Sequence, residues 1–301
     1  MGAVILKALS FIFIIALGYA LKKIHLFGDL DYKVAMKIVL NITLPAAIVT
    51  SFASCEIQPI LLLLALFGLV MNVIMLVVAY LVSKHKETAM RAAWLNVLPG
   101  YNIGAFVVPF VQTFLTTENV VACCIFDAGS AIMCTGCTYA LSGVILGQNR
   151  FSLKDAGRRL LGSRPFLFYT GMLILTIIGV KVPDGVISFI SPIAAANPFL
   201  AMLMVGMMLD FNFPAEERKE IFLMVGIRIL SAAIVAVPCI LFIPGTMGKA
   251  LAMALMGPVS VAATALGEKA GAKPAVVACI NSLSIIVSII VITGLVIAFG
   301  A

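Results

Sequence analysis

The chain has 301 residues, of which 63% are hydrophobic and 11% charged, with 20 Lys and Arg against 13 Asp and Glu. Soluble domains carry about 25% charged residues, so this composition excludes an ordinary water-soluble fold and points to an all-α polytopic membrane protein. The net charge of +7 is not a nucleic-acid signal, because the basic residues gather between apolar runs, where they report orientation in a bilayer.

A span takes about 20 mostly apolar residues. About ten runs qualify, near Val4–Leu21, Tyr32–Ala53, Pro59–Val82, Thr88–Phe114, Val120–Leu146, Pro165–Val182, Val186–Leu209, Ile221–Phe242, Met247–Leu266 and Pro274–Ile297. The first lacks a basic stretch before it and is followed by Lys22 and Lys23, which predicts a membrane helix rather than a cleaved signal peptide. Gly2 has Leu6 where a myristoylation motif needs Ser or Thr. The second run is interrupted by Asn41, Thr43 and Pro45, and the third carries Asn72 at its centre. Each of these amides serves either a ligand or a neighbouring helix, the commoner use in a bundle.

The fourth run contains Leu98-Pro99-Gly100-Tyr101-Asn102-Ile103-Gly104. Pro99 removes a backbone donor, and Gly100 and Gly104 weaken a helix. A break at membrane depth leaves backbone groups unpaired unless protein or a water-lined cavity covers them. The fifth run carries Asp127, an acid well inside an apolar stretch and so a functional hypothesis by default. It is expected to couple to a proton or cation. A basic, polar link spans Gln148–Arg164, with a helix expected over Leu153–Leu161. The seventh run is interrupted by Pro192 and Pro198, and Arg228 in the eighth is expected to snorkel to the near surface. The ninth contains a second break, Met256-Gly257-Pro258-Val259-Ser260, and the last carries Asn281 and Ser282.

Of the 20 basic residues, all but Lys7, Lys181 and Lys249 fall on or near one side. That side is expected to be cytoplasmic, with both termini outside the cell membrane. His25 and His85 lie in these loops and are assigned nothing. The seven cysteines fall mostly inside apolar runs. Cys134-Thr135-Gly136-Cys137 has no second pair and no neighbouring His, so these residues read as small helix- or lipid-facing groups rather than redox or metal ligands.

Val120-Val121-Ala122-Cys123 recurs 156 residues later as Val276-Val277-Ala278-Cys279. The same offset lays Pro99–Gly104 on Leu255–Ser260 and Asn41 on Asn197. It implies a five-span repeat over 1–147, a basic linker over 148–164 and a second repeat over 165–301. With an odd number of spans per half, the two repeats run in opposite directions, and paired breaks at matching positions point to a transporter's site. Half-helices ending at mid-membrane would aim positive N-termini at one point, a place for an anion such as a carboxylate. The expected binding residues are Asn102, Tyr101, Gly104, Pro258 and Ser260, with Asn41 and Asn281 nearby. No Walker loop, HExxH or GxSxG is present, so neither an ATP motor nor an enzyme is expected, and no cofactor or metal.

Leu44-Pro45-Ala46, Asn102-Ile103-Gly104-Ala105-Phe106 followed by Pro109, Phe126-Asp127 and Gly257-Pro258 resemble the auxin efflux carrier family, which includes bacterial malate and malonate permeases. The resemblance spans nearly the whole chain. Val107 and Val108 stand where bacterial members often have a second Gly, and Pro258-Val259-Ser260 stands where Pro-Pro-Ala or Pro-Thr-Ala is usual. The resemblance implies a fold like that of the bile-acid sodium symporters, with spans four and nine crossed. A scaffold of spans one, two, six and seven would support a mobile domain of spans three to five and eight to ten, and the chain would form a homodimer. The expected activity is secondary transport of small organic anions such as malate or malonate by alternating access, driven by H+ or uncoupled. The alternatives are a sodium-coupled carrier, and a membrane receptor that binds an anion without moving it.

Overall fold

A computed structural model describes residues 2–55, 59–148 and 152–299. Arg150, read above as part of the basic linker, lies outside them. The helices are α1 (Gly2–Lys23), α2 (Tyr32–Ala53), α3 (Leu63–Ser83), α4 (Thr88–Val97), α5 (Ile103–Phe114), α6 (Thr117–Ile145) and α7 (Leu153–Leu161). They continue as α8 (Arg164–Ile177), α9 (Asp184–Met208), α10 (Arg218–Phe242), α11 (Gly245–Leu255), α12 (Val261–Lys269) and α13 (Pro274–Phe299). Among the described residues no strand forms, and α1, α2, α3, α6, α9, α10 and α13 are each long and apolar enough to cross a bilayer. This is the all-α polytopic membrane protein expected from composition.

The fourth and ninth runs are each two short helices, α4 with α5 and α11 with α12. A helix of 9–12 residues reaches about 14–18 Å, roughly half the hydrocarbon thickness of about 30 Å, so neither helix of a pair could span it alone. The sixth run is shorter than its hydropathy suggests. Helix α8 has 14 residues and ends at Ile177, because Gly179 adopts a left-handed φ of +76° that closes the helix. The seventh run is one span despite its prolines. It steps at Ala196, where Asn197-Pro198 restarts the helix with Pro near the N-terminus, the position that needs no N–H.

Helix α1 packs along α9, and α2 packs against both α8 and α9. The remaining spans form a second group, with α3 along α6, α4 on α12, α10 on α11 and α11 on α6. Small residues set the closest approaches. A Cβ on Gly206 would lie 2.0 Å from the Ile15 carbonyl oxygen of α1, and one on Gly129 would lie 1.7 Å from that of Ala65 in α3. Only glycine allows backbones to meet this closely. Asn72 joins α3 to α6, donating to the Ser130 hydroxyl at 3.0 Å, which is the interhelical role of a lone amide. At the start of α4, Lys86 meets Glu220 of α10 at 2.7 Å, and the Trp94 indole donates to the same carboxylate at 3.2 Å.

Three stretches wind as π-helix, Val39–Thr43 in α2, Ile103–Val107 in α5 and Ile132–Cys137 in α6. Such turns leave backbone groups off the regular ladder and cluster at functional sites. Here all three border the same cavity.

Candidate functional site

The two breaks meet. Tyr101 and Val259 lie opposite each other as an antiparallel bridge. The Asn102 N–H donates to the Pro258 carbonyl at 2.9 Å, and the Ser260 N–H donates to the Gly100 carbonyl at 3.2 Å. The non-helical backbone is thus paired, as a membrane interior requires. Glycine is needed at the crossing, since a Cβ on Gly100 would lie 2.4 Å from that of Ala263. Helices α4 and α11 end at Val97 and Leu255, and α5 and α12 begin at Ile103 and Val261. Both pairs are 158 residues apart (255 − 97 and 261 − 103), as are Tyr101 and Val259. The offset of 156 read from Val120–Cys123 is therefore two residues short at the crossing. Asn41 and Asn197 make separate contacts. The Thr43 hydroxyl donates to the Asn197 amide oxygen at 3.0 Å, while Asn41 turns back to the Lys37 carbonyl at 2.7 Å.

Four helix ends converge here, two of each sign. The C-terminal ends of α4 and α11 carry negative dipole ends, and a buried cation meets them. Arg228 of α10 is 1% exposed. Its guanidinium donates to the carbonyls of Leu98 at 2.5 Å, Gly257 at 3.0 Å and Pro258 at 3.2 Å, and lies 4.6 Å from the centre of the Tyr101 ring. This corrects the expectation that Arg228 snorkels. Helix α10 begins at Arg218, so position 228 is ten residues, roughly 15 Å, along it. The broken helices supply carbonyl acceptors at that depth, which an unbroken helix would not.

The N-terminal ends of α5 and α12 face a cavity of about 330 Å³ whose lining includes Asn102, Ile103, Gly104, Ala105, Ser260, Val261 and Ala262. Asn102 and Ser260 are the N-cap residues, and neither side chain makes a capping bond. The Asn102 amide nitrogen and the Tyr101 hydroxyl are buried without a hydrogen-bond partner, and both residues line the cavity. Asp127 of α6 lies in the same wall. Its carboxylate accepts from the Tyr169 hydroxyl of α8 at 3.0 Å and faces the Gly104 N–H at the start of α5. A Cβ on Gly104 would lie 2.7 Å from the Tyr169 oxygen and 2.8 Å from a Leu44 methyl, so alanine there requires both side chains to shift. Tyr169, 2% exposed, was not legible as a site residue. An aromatic in an apolar run reads as packing, and nothing in the sequence ties it to an acid 42 positions earlier.

Asn41 lines the cavity too. Pro258 contributes a carbonyl to the crossing rather than a wall to the cavity. Asn281 is placed elsewhere, beside Lys22, Asp210 and Glu268 in a second hollow of about 450 Å³, its carboxamide oxygen buried without a partner. The linker also contributes to the lining of the first cavity, through Arg159, Gly162, Ser163 and Arg164. Among the described residues no group of His, Cys, Asp and Glu could hold a metal ion.

Among known proteins, the chain is similar to an uncharacterised transporter of Methanothermobacter thermautotrophicus. The two are 24% identical over 233 residues, which cover 76% of this chain and 75% of that one. No protein-family model matches the chain.

Proposed function

We propose that this chain is a secondary transporter of small organic anions, carboxylates such as malate or malonate, which bind at the crossing of its two broken spans and move by alternating access. One observation carries the reading. Two positive helix ends face one cavity, and the amide of Asn102 and hydroxyl of Tyr101 in its wall are buried donors with no acceptor. Leaving a buried donor unpaired costs about 1–3 kcal/mol, and a carboxylate oxygen would satisfy it. The transporter named among the similar proteins supports the class of activity.

Asp127 gives the coupling. Its carboxylate already occupies the positive end of α5 through the Gly104 N–H. A second carboxylate at that end meets a like charge, which a low-dielectric interior penalises heavily. Protonating Asp127 removes the competition, so one proton would accompany one carboxylate, with Arg228 balancing the negative charge that remains. Tyr169 reaches Asp127 from the group formed by α1, α2, α8 and α9. In the arrangement inferred here that group is a scaffold, related by inverted repetition to its counterpart and paired in a homodimer, and the remaining spans move against it. The basic side then faces the cytoplasm.

The test is uptake of labelled mono- and dicarboxylates into proteoliposomes, with the pH gradient and Na+ or K+ varied separately. Saturable uptake that grows with an inward proton gradient is expected, and Asp127→Asn should remove the gradient's effect. Dependence on Na+ in place of the gradient would turn the reading to a sodium-coupled carrier. Ligand binding with neither uptake nor counterflow would turn it to a receptor.

A further inference from the structure

We infer that Arg159 of the linker helix is a second anchor in the cavity, which makes the site selective for anions bearing two acid groups. The inference deepens the reading of the cavity as a carboxylate site and rests on it. The cavity lining draws polar groups from two separate parts of the chain. One is Asn102 and Ser260 with the starts of α5 and α12, the other is Arg159, Ser163 and Arg164 from the end of α7 to the start of α8, and the shared lining also includes the apolar Met36, Leu40, Leu44 and Phe166. Its volume, about 330 Å³, is at the small end of the usual range for ligand cavities of about 300–1,000 Å³.

Several features hold Arg159 in position. The Ser152 hydroxyl caps α7 by accepting from the Asp155 N–H at 3.2 Å. The axis of α7 turns 80° from that of α8, which lays α7 against the π-turn of α6. There Ala156 is 4% exposed, and its carbonyl oxygen would lie 3.0 Å from a Cβ on Gly136. The guanidinium of Arg159 lies 4.4 Å from the centre of the Tyr139 ring of α6. A ring contact of this kind uses the positive charge and supplies none of the acceptors a guanidinium needs, so its N–H donors stay available to a carboxylate. Asp155, the acid of this helix, faces Arg158 at 4.0 Å. Among the described residues neither Arg159 nor Arg164 is in an ion pair. The cavity wall thus holds two cationic side chains against the single acid Asp127, an excess that favours a multiply charged anion.

Malonate and propionate have the same three-carbon skeleton and differ by one acid group. Their dissociation constants are to be measured by calorimetry on the full-length protein in detergent, for the wild type and for Arg159→Gln, Arg159→Lys and Arg158→Gln. Wild type should prefer malonate by about tenfold or more. Arg159→Gln should weaken malonate by about 10- to 100-fold, the range of a charge-assisted contact, and leave propionate within about twofold. Arg159→Lys should fall between, because it keeps the charge and loses the planar fork. Arg158→Gln, whose side chain is 74% exposed, should behave as wild type. A malonate-to-propionate ratio unchanged in Arg159→Gln, or lowered equally in Arg158→Gln, overturns the proposal. If that ratio is unchanged while Asn102→Ala loses both ligands, the crossing remains the anion site and only the second anchor falls. If Arg159 sets the ratio but proteoliposomes show no uptake, transport falls and the second anchor stands.

Discussion

Replacing Arg228 by Met tests whether this side chain clamps the crossing. The substitution keeps an apolar stem of similar length and removes the guanidinium. Three carbonyls, those of Leu98, Gly257 and Pro258, then lose a donor. Pro258 keeps the Asn102 N–H, so two are left unsatisfied, and at about 1–3 kcal/mol each that is roughly 2–6 kcal/mol. Loss of the contact with the Tyr101 ring adds about 0.5–2 kcal/mol. Against this stands relief from burying a charge, worth several kcal/mol. A net loss of about 3–5 kcal/mol is expected, the usual result of removing one partner of a buried charged contact. At roughly 2–4 °C per kcal/mol for a domain of 150–250 residues, the melting midpoint of the detergent-solubilised protein should fall by about 10 °C. Arg228→Lys should lie between, since an ammonium keeps the charge but lacks the fork that reaches both helix ends at once. Melting of Arg228→Met within about 3 °C of wild type would refute the clamp, because the two orphaned carbonyls would then need no donor.

Asn102→Ala should weaken carboxylate binding by about 10- to 100-fold, the worth of one hydrogen bond to a charged group. It should leave the melting temperature of the ligand-free protein unchanged or raised, since it deletes a buried donor that has no partner in that state. Tyr169→Phe removes one hydrogen bond to Asp127. Uptake should fall by about tenfold with the fold intact by circular dichroism, and full uptake would dismiss Tyr169 as a coupling residue. Gly104→Ala places a methyl 2.7 Å from the Tyr169 hydroxyl and should abolish uptake, where a tolerated alanine would show the α5–α8 contact to be slack.

Seven of the ten expected spans and both breaks were legible because they depend on local chemistry. Apolar length, Pro99 and the Gly257-Pro258 pair act within their own segments, whatever packs around them. The crossing was legible by combining the breaks with alternating loop charge, though two residues out of register. The recurring Val-Val-Ala-Cys lies at the starts of α6 and α13, and α12 is shorter than α5 by more than the longer loop after it restores, so the offset read there does not carry back to the crossing. Arg228, Tyr169 and Arg159 were not legible as site residues. Each acts on a partner far along the chain, and its role follows from what surrounds it in space. Arg228 is held by backbone carbonyls, which have no sequence signature, and the position of Arg159 depends on the 80° turn between α7 and α8. Asp127 was found by hydropathy alone, since an acid in an apolar run is conspicuous whatever its partners. Asn281 was conspicuous for the same reason, yet it faces a different hollow, because depth along a helix does not specify which side of the helix faces the ligand.

The central claim is that the crossing binds a carboxylate and the protein carries it across the membrane. Counterflow tests this most directly: proteoliposomes loaded with unlabelled malonate take up labelled malonate, and wild type is compared with Asn102→Ala reconstituted at equal density. Rapid, saturable exchange is expected of wild type, and exchange near the protein-free background of the variant. Equal exchange by both proteins, or none above background by wild type for malonate and other small carboxylates, would contradict it.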